Sequence, residues 1–319
     1  MKQCLILGGG GYIGYNWARR LSASRGFERI VLADVRPPQQ IPAGCEFVKC
    51  DVREPLAFPD LKPEWIFNFA AVHREPGHAR EEYFDTNLAG ARNACDFAER
   101  TGCKNILFTS SIAVYGIVDQ PKTEQFHTYP SSPYGISKLC AELIHEGWRS
   151  RGADRRLYIC RPGVIYGPGD PGNILRMIRA VRKGYFVFPG SRQLRKSYGY
   201  IEGLLDSFEF MMSRAEPQLT YNYVERETET LGALVSMDQA HLGKSNWTMV
   251  APLPVLVAGA TVAQWITGGR SPIHPVRVRK TASSTHVVPE TLLKMDFPFR
   301  YDFAASLKDW KAKAPDDFL

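Results

Sequence analysis

No uncharged apolar run in this 319-residue sequence reaches the ~18 residues that a helix needs to cross a bilayer. The charged, polar start Met1-Lys2-Gln3-Cys4 leads straight into an apolar strand rather than a signal segment. An integral membrane protein is therefore not expected, and the cytoplasm is the expected compartment. The 7 cysteines are odd in number and show no metal-type spacing, which argues against a disulfide framework and for reduced thiols. A polybasic block is also missing: 40 Lys and Arg exceed 33 Asp and Glu by 7, and the excess is spread along the chain. Nucleic acid is thus not an expected partner, although the charge favours small anions. Internal repeats and low-complexity linkers do not occur either, so no tethered module is expected. His73 and His78 follow a strand without a third ligand at metal spacing, and no metal site is expected.

One shorter stretch, Leu253 to Ile266, is apolar enough to consider as a membrane-surface helix. At 14 residues and with no basic face, it is expected to be a buried helix.

What the chain does contain is enough apolar material, 44% of its residues, to build a large α/β core. Strand-like runs at 4 to 7, 30 to 34, 46 to 50, 65 to 70, 105 to 110 and 157 to 161 are separated by helix-length segments. That alternation predicts a doubly wound parallel sheet of the Rossmann type over 1–165. After Pro162 the character changes, with Gly and Pro clustered at 167 to 172 and tyrosines and basic residues at 185 to 200. A smaller substrate-binding lobe is expected over 166–319, with some segments returning to the first domain.

Three features carry the chemistry. The turn Gly8-Gly9-Gly10-Gly11-Tyr12-Ile13-Gly14 follows the apolar strand Cys4-Leu5-Ile6-Leu7 and opens a helix. Gly8, Gly11 and Gly14 fall where side chains would obstruct the turn, a pyrophosphate's approach to backbone amides, and helix packing. Asp34 ends the second apolar run, 20 residues after Gly14, where a carboxylate accepts hydrogen bonds from an adenosine ribose and repels a 2'-phosphate. NAD is the expected cofactor and NADP the second choice, because Arg36 stands two positions later. Finally, Tyr134 and Lys138 lie four apart, on one face of a helix. There an ammonium can lower the phenol's pKa from about 10 toward neutrality and make it an acid/base.

These residues, together with Asp51-Val52, Asn68-Phe69-Ala70-Ala71, Asn87, Ser110 to Gly116 and Arg161-Pro162, resemble the extended short-chain dehydrogenase/reductases. Within that superfamily the nucleotide-sugar epimerases and ketoreductases are the most similar. The resemblance covers nearly the whole chain and implies a catalytic set of Ser111, Tyr134 and Lys138. It places Gly8, Gly11, Tyr12, Ile13, Gly14, Asp34, Asp51, Val52, Ala70, Ala71, Lys138 and Arg161 around the dinucleotide.

The sequence departs from the family pattern in four places. Leu7 stands where a threonine often opens the glycine motif. Ile112 and Ala113 replace the Asp-Glu pair of the dehydratases, which excludes that proton chemistry. Val164 replaces an asparagine that contacts the substrate diphosphate, leaving Asn173 as its stand-in. Arg195, Lys196 and Arg279 are the cations available to clamp a diphosphate.

The expected activity is NAD-dependent epimerisation of a nucleotide sugar at C4 through a 4-keto intermediate. A 4-keto nucleotide-sugar reductase, a sterol-like hydroxyl dehydrogenase and a non-catalytic dinucleotide sensor are the alternatives. The expected partner is the nucleotide-sugar substrate, with a homodimer left open.

Overall fold

A computed structural model of the chain describes residues 2–74, 77–117, 120–170, 172–243, 248–268 and 274–318. Its strands are β1 (Gln3–Leu7), β2 (Arg29–Asp34), β3 (Cys45–Lys49), β4 (Trp65–Asn68), β5 (Asn105–Thr109), β6 (Arg156–Pro162), β7 (Val164–Tyr166), β8 (Val187–Pro189), β9 (Tyr198–Tyr200), β10 (Gln218–Tyr223) and β11 (Met249–Ala251). The helices are α1 (Tyr12–Ser24), α2 (Arg80–Thr101), α3 (Pro133–Ser150), α4 (Asn173–Arg182), α5 (Ile201–Met212), α6 (Leu231–His241), α7 (Leu253–Ile266), α8 (Pro275–Thr281), α9 (Glu290–Lys294) and α10 (Phe303–Lys313).

Seven of the strands form one sheet in the order β10-β6-β5-β4-β1-β2-β3, and every pairing in it is parallel. The central strands are buried on both faces, which is why β1, β2 and β5 read as unbroken apolar runs instead of alternating ones. One face packs Leu5, Ile66 and Ile106 against Ala94 and Phe97 of α2 and Ala141 of α3. The other packs Phe67 and Tyr158 against Trp17 of α1 and Phe208 of α5. The strand order changes direction at β1 and β4, and open α/β sheets bind ligands in the crevice at the carboxyl ends of strands beside such a switch.

β10 comes from beyond residue 165 yet pairs with β6 at the sheet's edge, so the sheet draws on both halves of the sequence. Two small parallel pairs, β7 with β9 and β8 with β11, stand outside it. Arg20 of α1 bonds Glu202 and Asp206 of α5, and Arg300 and Lys313 reach the same two carboxylates. This knot of charges ties the first helix to the C-terminal third.

Candidate active site

The glycine turn stands at the carboxyl end of β1. Gly8 has a φ of +78°, and a Cβ there would lie 2.7 Å from the Ala70 nitrogen, so only glycine fits both the conformation and the space. Gly11 is the N-cap of α1 and offers no side chain, and Gly14 sits directly against the Gly8 carbonyl. The backbone therefore approaches the end of β4, where Ala70 and Ala71 follow Asn68, and the helix N-terminus stays uncapped by any side chain. Asp34, at the tip of β2, accepts the amides of Gly10 at 3.1 Å and Arg36 at 3.2 Å. A cradle that any Cβ would fill, an uncapped helix N-terminus and a carboxylate over the turn together fit the diphosphate and ribose of a dinucleotide.

The other expected cofactor residues are placed unevenly. Ile13 lies in the first turn of α1. Tyr12 directs its hydroxyl toward Gly167, where it has no hydrogen-bond partner among the described residues and burial raises its pKa. Asp51 is chelated by Arg53, with contacts of 2.5 and 3.0 Å, and those bonds lower its pKa. Val52 is buried against Gly90 of α2. Arg161 is committed elsewhere: it makes a bidentate pair with Glu142 at 2.9 and 2.6 Å and donates to the Tyr115 hydroxyl at 3.0 Å. Tyr115 in turn donates to Asn222 at 2.8 Å, so Arg161 braces α3 against the sheet.

Helix α3 starts where the sequence gives the backbone few alternatives. Ser132 accepts the Gly135 amide at 3.2 Å as N-cap, and Pro133 opens the first turn. A Cβ on Gly135 would lie 2.6 Å from the Ala113 carbonyl, so the helix can press against the 3-10 turn Ile112–Tyr115 only because that residue is glycine. Ser111 caps this turn, accepting the Ala113 amide at 3.1 Å. The contact brings the helix end that carries Tyr134 against the turn that Ser111 begins. Ser110 beside it is buried, and its hydroxyl has no hydrogen-bond partner among the described residues.

Lys138 is 1% exposed, with its ammonium 4.3 Å from the centre of the Phe108 ring. Burial pulls its pKa down to about 7, against the attraction of Glu142. His145 stacks on the same Phe108 ring at 4.3 Å and lies 3.3 Å from the Asn68 amide. Burial holds His145 neutral, with a pKa near 4. Asn87 of α2 donates to Ser137 at 2.8 Å and accepts the Val72 amide at 2.9 Å, locking α3 to the loop after β4. The sequence reading missed His145 and Glu142. Their spacing signalled them, because 134, 138, 142 and 145 follow the helical repeat on one face.

The expected diphosphate cations lie apart from this helix. Arg195 donates to the Thr228 carbonyl and lines a hollow of about 440 Å³ with Arg226, Glu227, Glu229 and His286. Val287 of that hollow packs against Val114 and Tyr115, so the hollow adjoins the Ser111 turn. Lys196 donates instead to the carbonyls of Lys280 and Ser283, which caps the end of α8, and burial lowers its pKa to about 8. Arg279 is exposed on α8, and Asn173 is exposed at the start of α4, where it accepts from Arg176 at 2.7 Å. Of the tyrosines near them, Tyr198 and Tyr200 belong to the core. His78 pairs with Glu82 at 2.9 Å.

A model of the NAD dependent epimerase/dehydratase family matches residues 4–223. The chain belongs to that family. Among its relatives, an N-acetyl-alpha-D-glucosaminyl-diphospho-ditrans,octacis-undecaprenol 4-epimerase of Escherichia coli O157:H7 is 30% identical over 278 residues, covering 81% of this chain and 84% of that one. A UDP-glucose 4-epimerase of Vibrio cholerae is 30% identical over 216 residues, 64% of this chain and 65% of its own length. The Bordetella bronchiseptica enzyme WbmG, solved in complex with NAD and UDP, shares the fold with a TM-score of 0.74 at 18% identity, covering 99% of this chain and 97% of that one. Tyr134 and Lys138 stand on α3, while Ile112 and Ala113 hold no proton-transfer group after Ser111.

Proposed function

We propose that this chain is an NAD-dependent sugar 4-epimerase acting on a nucleotide sugar. The observation that supports the reading is the packing of α3, the helix that carries Tyr134 and Lys138, on the Ser111 turn through Gly135. Gly8, Gly11, Gly14, Asp34 and Ala70 hold the dinucleotide. When bound, NAD would supply the hydride acceptor and donor for the sugar carbon. Tyr134 takes the C4 hydroxyl proton and later gives it back, Ser111 orients the oxygen, and Lys138 steadies the phenolate. A phenolate at Tyr134 would in turn raise the pKa of Lys138 from its burial-lowered value near 7 and keep the ammonium charged. Arg195 and Arg226 receive the diphosphate in the hollow beside Val287. Arg161 and Lys196 hold the frame.

A second carrier is favoured by one comparison. The 30% relative that covers 81% of the chain acts on a sugar linked through diphosphate to undecaprenol, and the same cations would serve a polyprenyl diphosphate. The deciding experiment incubates the purified protein, with NAD and no added reductant, separately with UDP-N-acetylglucosamine and with polyprenyl-diphosphate-linked N-acetylglucosamine. Products are followed by NMR. Inversion at C4 of either substrate supports epimerisation and names the carrier. Turnover only with consumption of added NADH or NADPH replaces it with the reductase.

Asp34→Ala is expected to narrow the preference for NAD over NADP by about tenfold, since the carboxylate repels a 2'-phosphate. Titration of both cofactors checks this, and an unchanged ratio removes Asp34 from the ribose site.

A further inference from the structure

Helix α7 inverts the usual relation between hydrophobicity and burial. Its sequence LPVLVAGATVAQWI has no charged residue, yet among its residues Ala260 alone is fully buried. Exposure falls on one face: Val255 is 62% exposed, Val262 53%, Trp265 83% and Ile266 71%, spaced at helical repeats. Met249 and Val250 of β11, directly before it, are 55% and 44% exposed. The sequence-based expectation of a buried helix is therefore overturned, because only the side that carries Leu256, Val257 and Ala260 is covered. A contiguous apolar face of this kind on a folded chain marks a binding surface.

The surroundings indicate what covers it. From residue 239 to 289 the sequence holds no Asp or Glu and five Lys or Arg. Helix α8, which packs on α7, carries exposed Arg277, Arg279 and Lys280. An apolar face with an aromatic residue near its end and cations alongside matches a bilayer's acyl boundary and its anionic headgroups. Fourteen residues make a helix of ~21 Å, short of the ~30 Å hydrocarbon core, so it lies in the interface and does not cross. No helix among the described residues is long and apolar enough to span a membrane. A second copy of the chain is the poorer occupant, since a two-fold contact through α7 would bring the cations of two α8 helices together.

We propose that the exposed face of α7, flanked by the cations of α8, docks this protein reversibly on an anionic phospholipid surface. The inference goes beyond the choice of sugar carrier and stands with either one. The test is sedimentation of the full chain with vesicles of phosphatidylcholine containing a minority of phosphatidylglycerol. Binding is expected, weakened by high salt and by pure phosphatidylcholine. Tryptophan emission should move to shorter wavelength on binding, and Trp265→Phe should shrink that change without abolishing sedimentation, because four of the other five tryptophans, Trp17, Trp65, Trp148 and Trp310, are buried.

The triple variant Val262→Glu, Trp265→Glu, Ile266→Glu is expected to lose at least about tenfold in partitioning while keeping its rate on a water-soluble substrate. Should that variant fail to fold, the milder pair Val262→Ser, Ile266→Ser is expected to weaken binding several-fold with an unchanged circular dichroism spectrum. Wild-type protein that ignores the vesicles overturns the proposal, as does binding that survives these substitutions. A wild-type dimer that the substitutions split, with no vesicle binding, assigns the face to a second copy instead. Because sedimentation needs no turnover, failure here is distinct from failure of the epimerase reading.

Discussion

Helices α3 and α7 make opposite use of their side chains. α3 buries Lys138, Glu142 and His145, each at 2% exposure or less, whereas α7 leaves Val255, Trp265 and Ile266 to solvent. Burying charge and exposing hydrocarbon both work against folding when stability is the only consideration. Each helix thus carries a cost whose return lies outside the fold, and the two mark different functions. The buried polar side chains of α3 are paired or stacked within the chain, by Arg161 and by Phe108, so the benefit there is preorganisation. The apolar face of α7 stays exposed among the described residues, which is the ground for proposing a partner there.

The largest effect that would test this contrast is on α3. Glu142→Gln leaves the Arg161 guanidinium buried without its counter-charge, and a loss of about 3 kcal/mol or more in unfolding free energy is expected by denaturant titration. A loss below about 1 kcal/mol would mean that the pair is not a brace. Next, Tyr134→Phe should lower kcat at least ~100-fold, equivalent to about 2.7 kcal/mol, while dinucleotide affinity stays unchanged. Retention of a tenth of the rate would take Tyr134 out of the proton path.

Lys138→Met separates the two costs within one residue. The buried ammonium has its pKa lowered from 10.5 to about 7, so between those values the unfolded chain binds more protons than the folded one. Lys138 therefore penalises folding fully below about pH 7, and the penalty fades as pH rises toward 10.5. The cofactor-free methionine variant is expected to melt at least about 2 °C above wild type near pH 6. That advantage should diminish through the alkaline range, although activity is lost. An equal advantage at every pH would contradict the burial effect. The smallest effect is expected on α7, where Val262→Ser should change stability by less than about 0.5 kcal/mol. A larger loss would show that this face packs against something in the free protein.

The same contrast explains what the sequence disclosed. Buried parallel strands are continuous apolar runs, so β1, β2 and β5 could be placed from residue type alone, and the glycine turn declares itself because no other residue tolerates its conformation. The spacing of Tyr134 and Lys138 is a property of one helix and needs no tertiary information. Lys196 could not be understood this way: whether a lysine meets a diphosphate or the carbonyls of Lys280 and Ser283 depends on chain brought together over more than eighty positions. Arg161 and Glu142 are 19 apart, too far for a helical pattern to couple them. The exposure of α7 was hidden for the converse reason. Hydropathy records that a segment is apolar, and it says nothing about whether neighbours exist to cover both of its sides.

The strand β10 has a consequence for how this chain is made. β6 gains its outer partner only when residues 218–223 arrive, and Trp17 of the first helix packs on Phe208 with ring centres 5.4 Å apart. A ribosome that has released only the first 165 residues has therefore produced a sheet with an open edge and an uncovered aromatic face. Such an edge invites pairing with other nascent chains. Residues 1–165 must wait for the later ones, and a fragment ending before β10 is expected to aggregate rather than accumulate as a folded domain.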